Sequence, residues 1–564
     1  KGTCMRKVTI IVLLGLFAFS QLSADLLPRL EEVNIEDALT LNVGGIGNII
    51  AGVDVDGDGL TEIYMVNNNW NDGADEVIPR IYKYERLAAD LWAMVWEAIP
   101  PTTLVEKQNT WPTLSLTDLD NDGKMELCWG IVNNVVTIAN PARIVVYEHA
   151  GGDNFGVDNA GVWEPNSSWT ITDSVSTQNI RPIDWEIADI DDDGVDEIIF
   201  ADRKGTTSGM YYGICSVSDI PDAGDGSETW TLESSGLDVG MTSAAENKWD
   251  VAVVGNNAYI FSETEISKIS WTGTAYEYTA LSPIIGGSPN QAALGVDIDG
   301  DGTTEIFAPT YDWGVDSLKG VYILKEVADT LQATLVANMS EYWPSGSRGI
   351  WGAASGDIDD DGLMDFVMGS RASSPHNGMI FRIEHQGGDI YAAANWELTI
   401  IDSAYAVVDL ADGGIWSEFA IGNMDEDAGN EVFYASSVAV PYSVEFATTS
   451  VSAPVIILDS PNTSVSIEER EVQIADGYKL QQNYPNPFNP STTITFHIPQ
   501  NEVVSLSVYD LQGREVATLL NQSMSTGSYD LTWGGLDNNG VQVASGVYVY
   551  TLRTSSYTDR KSVV

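Results

Sequence analysis

Six short acidic segments are the parts of this chain best suited to chemistry. Each follows the order Asp-x-Asp-x-Asp-Gly, or a close variant of it, and ends with a carboxylate at its ninth position. Carboxylates at alternate positions of a tight loop place several hard oxygens on one side, and Ca²⁺ takes about six to eight such oxygens. A Gly at the sixth position permits the sharp turn. The spacing therefore predicts up to six Ca²⁺ sites.

The predicted ligands are the side chains at positions one, three, five and nine and the backbone carbonyl at position seven. In chain order they are Asp54, Asp56, Asp58, Leu60 and Glu62; Asp118, Asp120, Asp122, Lys124 and Glu126; Asp189, Asp191, Asp193, Val195 and Glu197; Asp297, Asp299, Asp301, Thr303 and Glu305; Asp357, Asp359, Asp361, Leu363 and Asp365; and Asn423, Asp425, Asp427 and Glu431. The sixth loop has Asn at position one and Ala428 in place of the Gly, so we expect it to bind most weakly.

The residues around these loops indicate strands. Position twelve, where helix-loop-helix calcium sites have a bidentate Glu, holds no acid in any of the six loops. Apolar residues such as Ile63, Tyr64 and Met65 follow the closing carboxylate and suit a buried strand. Asp-Gly runs can also be simple hairpin turns. Six copies in register favour metal binding, because so many like charges are costly to hold together without a cation.

The spacing of the loops predicts the architecture. The closing carboxylates stand at positions 62, 126, 197, 305, 365 and 431, with one long step from 197 to 305. Residues Trp249–Gly255 fit a seventh copy there, with Asp250 in the closing place and no acidic ladder before it. Units of about sixty residues with several short strands are typical of propeller blades of four strands. We predict an all-β fold, with a seven-bladed β-propeller carrying calcium-binding loops over residues 25–455.

The recurring loops, each followed by a strand such as Glu-Ile-Ile-Phe or Asp-Phe-Val-Met, resemble the FG-GAP/VCBS repeats of integrin-alpha-like propellers. The resemblance covers about residues 40–455. It implies a seven-bladed propeller stabilised by Ca²⁺. It does not imply a particular ligand, because this fold hosts adhesins, lectins and enzymes.

The beginning of the sequence predicts a secretory signal peptide over residues 5–24. A basic Met5-Arg6-Lys7 start precedes an apolar run, and the small residue Ala24 stands at the exit. The apolar run is too short to span a bilayer permanently. We therefore expect no transmembrane segment after the signal peptide is removed.

The end of the sequence predicts a second domain. Residues 456–477 are a polar, acidic linker, and alternating apolar strands with Gly and Pro turns over 478–564 indicate a small Ig-like β-sandwich. The stretch Asn-Tyr-Pro-Asn-Pro-Phe-Asn-Pro at 483–490 and a Gly-Val-Tyr strand closely resemble the C-terminal sorting domain of the type IX secretion system. This resemblance implies export by that machinery to the outside or outer surface of a bacterium. An ordinary Ig-like accessory domain is the alternative.

Composition limits the partners. The net charge is −56 and the pI about 4.1, so nucleic acid and anionic lipid would be repelled. Abundant Asp suits an extracellular protein, where Ca²⁺ is millimolar. We expect Cys128 and Cys215 to be two buried thiols, and a disulfide between them is the less favoured alternative. We expect a monomer.

No active site can be nominated from the sequence. No His pair has zinc-ligand spacing, no nucleophile elbow or phosphate loop is present, and the acids are too numerous to single out a glycosidase pair. One weaker pattern combines Trp, which stacks on sugars, with Arg, which binds carboxylates. Its members either form a ligand site at one rim of the axial channel or pack between blades: Trp111, Trp185, Trp351 and Trp416, with Arg181 and Arg348 nearby.

These observations favour an exported, calcium-loaded propeller that binds an extracellular glycan or protein, as an adhesion or ligand-binding module. A propeller-type polysaccharide lyase or glycosidase is the second hypothesis, and a structural surface protein the third. An enzyme is the less favoured reading, and we predict no catalytic residues.

Overall fold

The computed structural model shows two compact units, Lys1–Ser464 and Val465–Val564. The signal peptide predicted over 5–24 lies outside the described residues, as does 460–477 of the predicted linker. The described residues are 27, 29–34, 45–68, 78–88, 91–108, 111–132, 141–171, 180–203, 210–241, 247–262, 265–281, 288–289, 291–311, 319–327, 330–340, 342, 349–371, 379–403, 416–424, 429–436, 454–459, 479–480, 492–498, 502–509, 514–524, 527–533, 535–536, 543, 548–554 and 558–563.

Seven antiparallel sheets built on four strands each make up the first unit within the described ranges, and we number them as blades 1 to 7 along the chain. A short strand pair and an extra strand are inserted in blade 2, before its outer strand. The strands of blades 1 to 3 and this insertion are β2 Gly45–Val53, β3 Glu62–Asn68, β4 Ile81–Ala88, β5 Leu91–Ala98; β6 Thr113–Thr117, β7 Glu126–Gly130, β8 Ile144–Gly151, β9 Asn154–Phe155, β10 Val157–Asp158, β11 Trp163–Glu164, β12 Ser167–Trp169; and β13 Pro182–Ala188, β14 Glu197–Asp202, β15 Tyr212–Val217, β16 Trp230–Ser235.

Blades 4 to 7 continue the same order, and one 3-10 helix, Ala393–Asn395, lies in blade 6. Their strands are β17 Asp250–Val254, β18 Asn257–Phe261, β19 Ile266–Trp271, β20 Tyr276–Leu281; β21 Leu294–Val296, β22 Glu305–Pro309, β23 Gly320–Val327, β24 Thr330–Asn338; β25 Gly349–Gly356, β26 Asp365–Arg371, β27 Met379–His385, β28 Trp396–Ser403; and β29 Trp416–Gly422, β30 Glu431–Ser436, β31 Pro454–Leu458, with β1 Arg29–Asn34 as the fourth strand of blade 7.

The first strands of the blades form a closed ring. Each of β2, β6, β13, β17, β21, β25 and β29 contacts the first strands of the two neighbouring blades, including β29 with β2. At that last junction a Cβ on Gly52 would come within 2.4 Å of the Gly422 Cα, and Gly52 has a left-handed φ of 74°. Only Gly fits so close an approach of two backbones. The described residues therefore confirm the predicted seven-bladed ring.

The ring is closed by the N-terminal strand. β1 pairs antiparallel with β31, so one blade combines residues from both ends of the propeller sequence. Val33 is buried against this junction, and Glu31 accepts hydrogen bonds from Arg86 at 2.6 Å and Trp92 Nε1 at 2.6 Å in blade 1. β31 reaches Leu458, beyond the predicted boundary at 455. This closure covers the edge that β31 would otherwise expose.

Apolar side chains fill the spaces between neighbouring blades. Strands such as β3 are buried along their whole length, because both faces of each sheet pack against another sheet. Between blades 5 and 6, Phe307 and Phe366 stack with ring centroids 3.8 Å apart. Cys128 and Cys215 lie between blades 2 and 3 as buried free thiols, which confirms the prediction.

Blade 4 confirms the seventh repeat but corrects its register. Asp250 is on β17, the first strand of its blade, whereas the closing carboxylates begin second strands. A tight turn at Gly255–Asn256 stands where other blades have an acidic loop. Asp250 Oδ2 accepts backbone hydrogen bonds from Ala292 and Ala293 at 2.8 and 2.9 Å. It therefore ties blade 4 to blade 5, and the prediction that it stands in the closing place was wrong.

The second unit contains two sheets in its described part. One has the order β32-β33-β36 and the other β35-β34-β37-β38, and the apolar core includes Phe496, Leu506, Trp533 and Leu552. The strands are β32 Lys479–Leu480, β33 Thr492–Ile498, β34 Glu502–Tyr509, β35 Glu515–Met524, β36 Gly527–Trp533, β37 Tyr548–Arg553 and β38 Thr558–Val563.

The closure by β1 can be tested with Val33→Asp. A charge at this buried position should cost about 3 kcal/mol of propeller stability, because it cannot be hydrated where β1 packs. Val162→Asp is the matched control, since Val162 is 57% exposed. Thermal unfolding should show a clear loss for the first variant and little change for the second. Equal melting of the two variants would contradict the closure.

Candidate metal sites

The acidic loops of blades 1, 2, 3, 5 and 6 share one backbone conformation. Position four is left-handed in all five, and it is occupied by Gly57, Asn121, Asp192, Gly300 and Asp360, with φ between 54° and 74°. Position six is the predicted Gly, also left-handed, with φ from 84° to 92°. Gly, Asn and Asp are the residues that tolerate this region, so the type of residue at position four was a signal that the sequence analysis did not use.

Carboxylates of the loop hold this conformation. In blade 1, Asp54 Oδ2 accepts the N–H of Gly59 at 3.0 Å, and Asp58 Oδ1 accepts that of Leu60 at 2.8 Å. The other four loops repeat both bonds at 2.7 to 3.0 Å. The loops are therefore preorganised, with further carboxylate oxygens left on the side where the acids converge.

The closing carboxylate of position nine joins each loop to the second strand of its blade. One of its oxygens accepts the backbone N–H of position two, as between Glu197 and Ile190 at 3.0 Å. The same bond occurs in all six loops, at 2.5 to 3.3 Å. This leaves the second oxygen of the carboxylate available to a cation.

In blades 2 and 3 that second oxygen is fully buried and has no hydrogen-bond partner. It is Oε1 of Glu126 and Oε1 of Glu197, and both residues are 0% exposed. Asp118 Oδ1, also in blade 2, is a buried oxygen without a hydrogen-bond partner as well. Burial raises the pKa of Glu126 and of Glu197 to about 8. Burying a carboxylate oxygen without a partner costs free energy, and a bound cation would offset this cost.

The structure brings predicted ligands of blades 1, 2 and 3 together. One oxygen from each of Asp118, Asp120, Asp122 and Glu126 lies within 4.8 Å of the others. The same holds for three acids in the loops of blades 1 and 3: Asp54, Asp56 and Asp58; and Asp189, Asp191 and Glu197. A compact set of hard oxygens on a tight loop fits Ca²⁺.

The sixth loop is described only at its ends. Asp425 and Asp427 lie outside the described residues. Asn423 Nδ2 donates to the Gly429 carbonyl at 2.9 Å, and Glu431 accepts from Met424 N at 2.5 Å. The closing bond is therefore kept, while the amide at position one is used within the loop.

Side-chain cations reach the closing carboxylates of blades 1 and 6. Lys83 Nζ, on β4, lies 2.5 Å from Glu62 Oε1 and 3.6 Å from Asp56 Oδ2. On β27, Arg382 Nε lies 2.5 Å from Asp365 Oδ1, and its Nη2 lies 2.9 Å from Asp359 Oδ2. Both cations therefore bridge positions three and nine of their loops.

The sequence analysis missed acids on third strands beside the loops. Glu85, Glu148 and Glu384 each pair across the sheet with a closing carboxylate. In blade 2, Glu148 accepts from Lys124 Nζ at 2.7 Å, and Lys124 also contacts Asp122. Lys124 is the position-seven residue of its loop, so its side chain and its backbone have different roles. Finding these acids required the strand register, which the sequence did not give.

Neighbouring loops contact one another on one face of the ring. Asn256 of blade 4 donates to Ile190 O at 3.0 Å and Asp192 Oδ2 at 2.8 Å in blade 3. Thr61 of blade 1 donates to Met424 O of blade 7 at 3.2 Å. Loops of adjacent blades are therefore hydrogen-bonded at these two junctions, and we call the side of the ring that carries the acidic loops, at the ends of the first strands, the acidic face.

The axial channel contains a small cavity of about 180 Å³ lined by first strands. Three carboxylates, Asp184, Glu186 and Glu418, are among the lining residues. Burial, with the nearby Asp184 charge, raises the pKa of Glu186 to about 8. Burial likewise raises the pKa of Asp250, which is hydrogen-bonded to Asp184. The cavity is smaller than the roughly 300–1,000 Å³ of typical ligand pockets.

The aromatic residues proposed as a ligand rim are buried. Trp111 and Trp351 are 3% and 0% exposed, with ring centroids 4.7 Å apart. Trp249 and Tyr311 pack on Trp351, and the Arg203 guanidinium lies over the Trp111 and Trp249 rings. This aromatic cluster adjoins the beginnings of first strands, at the end opposite the acidic face. Its members come from blades 2, 4, 5 and 6, so they pack against one another across the axis. They gather at one end of the axis, as the rim alternative expected, but the Trp111 and Trp351 rings are buried, so the sugar-stacking role was wrong for these two.

The remaining members of that pattern give the same result where they are described. Trp185 is buried and donates from Nε1 to Ser115 Oγ at 2.8 Å, and Arg181 is 3% exposed. Arg348 and the side chain of Trp416 lie outside the described residues.

Comparisons with known proteins add one domain assignment. Residues 488–558 match the family described as FlgD Ig-like domain, which agrees with the predicted β-sandwich. No curated protein sequence matches this chain. Among solved structures, a fructofuranosidase from Schwanniomyces occidentalis in complex with fructose is similar at 9% identity, over 96% of this chain and 86% of that chain, with a TM-score of 0.28. A similarity this weak carries no conclusion about activity.

No helix in the described part of the chain is long and apolar enough to cross a membrane.

The predicted effect of a Glu126 substitution on the melting temperature depends on Ca²⁺, because Oε1 of this residue has no partner in blade 2. Glu126→Gln should melt no lower than wild type in EGTA, because it replaces a buried carboxyl, whose charged form is costly, with a neutral amide. In millimolar Ca²⁺ it should melt lower, because a ligand is lost. Differential scanning calorimetry in both conditions measures the crossing. The exposed Glu277→Gln should follow wild type in both, and a Glu126→Gln curve that does the same would contradict a metal role.

The axial carboxylates predict a pH dependence. The pKa of Glu186 rises from 4.5 to about 8 on folding, so between these values the folded state binds a proton that the unfolded state releases. This contribution to stability is complete below pH 4.5 and is lost as the pH rises to 8. Glu186→Gln should therefore gain stability relative to wild type from pH 5 to pH 8.5 in chemical unfolding. The Glu277→Gln control should show no such trend, and a flat difference for Glu186→Gln would contradict the assignment.

Proposed function

We propose that this protein is an exported β-propeller that binds Ca²⁺ in its acidic loops and acts as an adhesion or ligand-binding module for an extracellular glycan or protein. The observation that carries the proposal concerns the closing carboxylates of blades 2 and 3, Glu126 and Glu197. In each of them the Oε1 oxygen is buried and has no hydrogen-bond partner. These carboxylates stand in loops whose other acids converge within 4.8 Å. A buried oxygen without a partner costs free energy, and a bound cation would offset this cost.

The proposed role of the ion is structural. Each loop connects a first strand, which lines the axis, with the second strand of the same blade. The closing carboxylate already bonds to the loop backbone at position two, and a bound ion would join it to positions one, three and five. The loops of neighbouring blades are hydrogen-bonded, so ordering one loop supports the next. The result would be a rigid acidic face.

Export rests on features at both ends of the chain. The predicted signal peptide over 5–24 directs secretion, and the resemblance of 478–564 to type IX sorting domains implies the later step across the outer membrane. The match of 488–558 to an Ig-like family is compatible with such a domain. The proposed location is the outside or outer surface of a bacterium, where millimolar Ca²⁺ would fill sites of modest affinity.

The enzyme alternative has less support. The aromatic residues that would bind a sugar chain are buried where they are described, and the axial cavity is about 180 Å³. Among the described residues, the three carboxylates of this cavity are the candidates for a hydrolytic activity. The third hypothesis, a surface protein without a specific ligand, shares the metal sites with the first.

Removal of Ca²⁺ tests the metal part of the proposal. EGTA should lower the melting temperature of the purified protein by many degrees, because several ions bind only the folded state and each contributes about 2.7 kcal/mol at a concentration one hundred times its Kd. Adding back Ca²⁺ should restore the melting temperature, whereas the same concentration of Na⁺ should not. Unchanged melting in EGTA would refute Ca²⁺ loading.

Ligand binding needs a separate experiment. A glycan array and a panel of extracellular matrix proteins would be screened with and without EGTA, together with an assay for released reducing or unsaturated sugars. Ca²⁺-dependent binding without turnover is the expected result. Turnover would favour the enzyme, and absence of both would favour the structural protein.

A further inference from the structure

Six blades have an acidic loop, but their third strands differ at one equivalent position. This position faces, across the sheet, the residue two places after the closing carboxylate. It is Lys83 in blade 1, opposite Tyr64, and Arg382 in blade 6, opposite Val367. In the other four blades the equivalent residues are all apolar: Val146, Ile214, Ile323 and Ile457.

The two cations occupy the place that an ion would need. Lys83 Nζ is 2.5 Å from Glu62 Oε1, the oxygen that corresponds to the unpartnered Oε1 of Glu126 and Glu197 in blades 2 and 3. In blade 6, Arg382 Nε is 2.5 Å from Asp365 Oδ1. A Ca²⁺ on the same carboxylate oxygen would lie within about 5 Å of either cation, and like charges at this distance repel strongly where water is excluded.

Burial supports a fixed position for both side chains. Lys83 is 0% exposed and is surrounded by carboxylates of Glu62, Asp153, Asp56 and Glu85, at 2.5, 2.9, 3.6 and 3.7 Å. Arg382 is half-buried, and its Nη2 also contacts Glu384 Oε1 at 2.7 Å. Neither side chain can leave without placing several uncompensated carboxylates together.

We propose that Lys83 and Arg382 are built-in cations that replace Ca²⁺ in blades 1 and 6, so that neither of these two loops binds an ion. This inference rests on the proposed Ca²⁺ function and adds which loops carry it. The sequence motif of a loop is then insufficient to assign an ion, because a residue on the third strand decides between a metal and a side-chain cation.

Anomalous diffraction from crystals of the wild-type protein grown in Ca²⁺ gives the direct test. Peaks are expected in the loops of blades 2, 3 and 5, with a weaker one in blade 7, and none in blades 1 and 6. Peaks in blades 1 or 6 would overturn this inference while leaving Ca²⁺ binding intact. Absence of peaks from every loop would overturn both this inference and the proposed Ca²⁺ function.

Metal counting in variants gives a second test in solution. Lys83→Met and Arg382→Met should each gain one bound Ca²⁺ per chain, measured by equilibrium dialysis with elemental analysis. They should also become more sensitive to EGTA in thermal unfolding than wild type. Lys268→Met is the control, because Lys268 is a lysine on the third strand of blade 4, the blade that has no acidic loop.

The control should bind as many ions as wild type. A Lys83→Met or Arg382→Met protein that folds in Ca²⁺ but gains no ion would contradict the inference. If neither variant folds, the anomalous map of the wild type decides the question alone.

Discussion

The buried carboxylate at the start of each second strand is the group on which the loops depend. Its bond to the backbone N–H of position two fixes the loop against the sheet, with the same pair of positions in all six blades that have an acidic loop. The same burial makes the charged form of this carboxylate costly, and a positive partner, either a side-chain cation or a bound ion, would offset that cost.

The ring distributes this requirement over the whole propeller. First strands contact each other around the axis, and the acidic loops extend from their ends, so a loop cannot move without affecting the first strands beside it. Closure by β1 and the close approach of Gly52 to Gly422 leave no free blade edge at the junction of blades 7 and 1. Because the first strands are in contact around the axis, cations bound at separate loops would all stabilise the same ring of strands.

Local features of the fold were predictable from the sequence, and features that depend on register were not. The acids, the Gly at position six and the apolar strand after the loop are contiguous, so the sequence shows them directly. The pairing of β1 with β31 joins residues from opposite ends of the propeller and has no local signal. Asp250 was assigned to the wrong strand because an acid before an apolar run can begin either a first or a second strand.

The same distinction explains what was missed at the candidate sites. A Trp near the start of a first strand can face solvent or the interior, and only the packing of Trp111, Trp249 and Trp351 against one another across the axis shows the latter. Lys83 and Arg382 are ordinary strand residues in the sequence, and their proximity to the loops follows from cross-strand pairing.

The two ends of the first strands differ in chemistry, and this difference bears on where a ligand could bind. At one end, the described residues place the aromatic cluster on the axis. The opposite end carries the acidic loops, whose position-four acids Asp192 and Asp360 are exposed and are not among the predicted ligands. An ion bound as proposed would leave such outer oxygens available to a partner. The acidic face would then combine an ordered backbone with hydrogen-bond acceptors, which is what recognition of a hydroxyl-rich or basic partner requires.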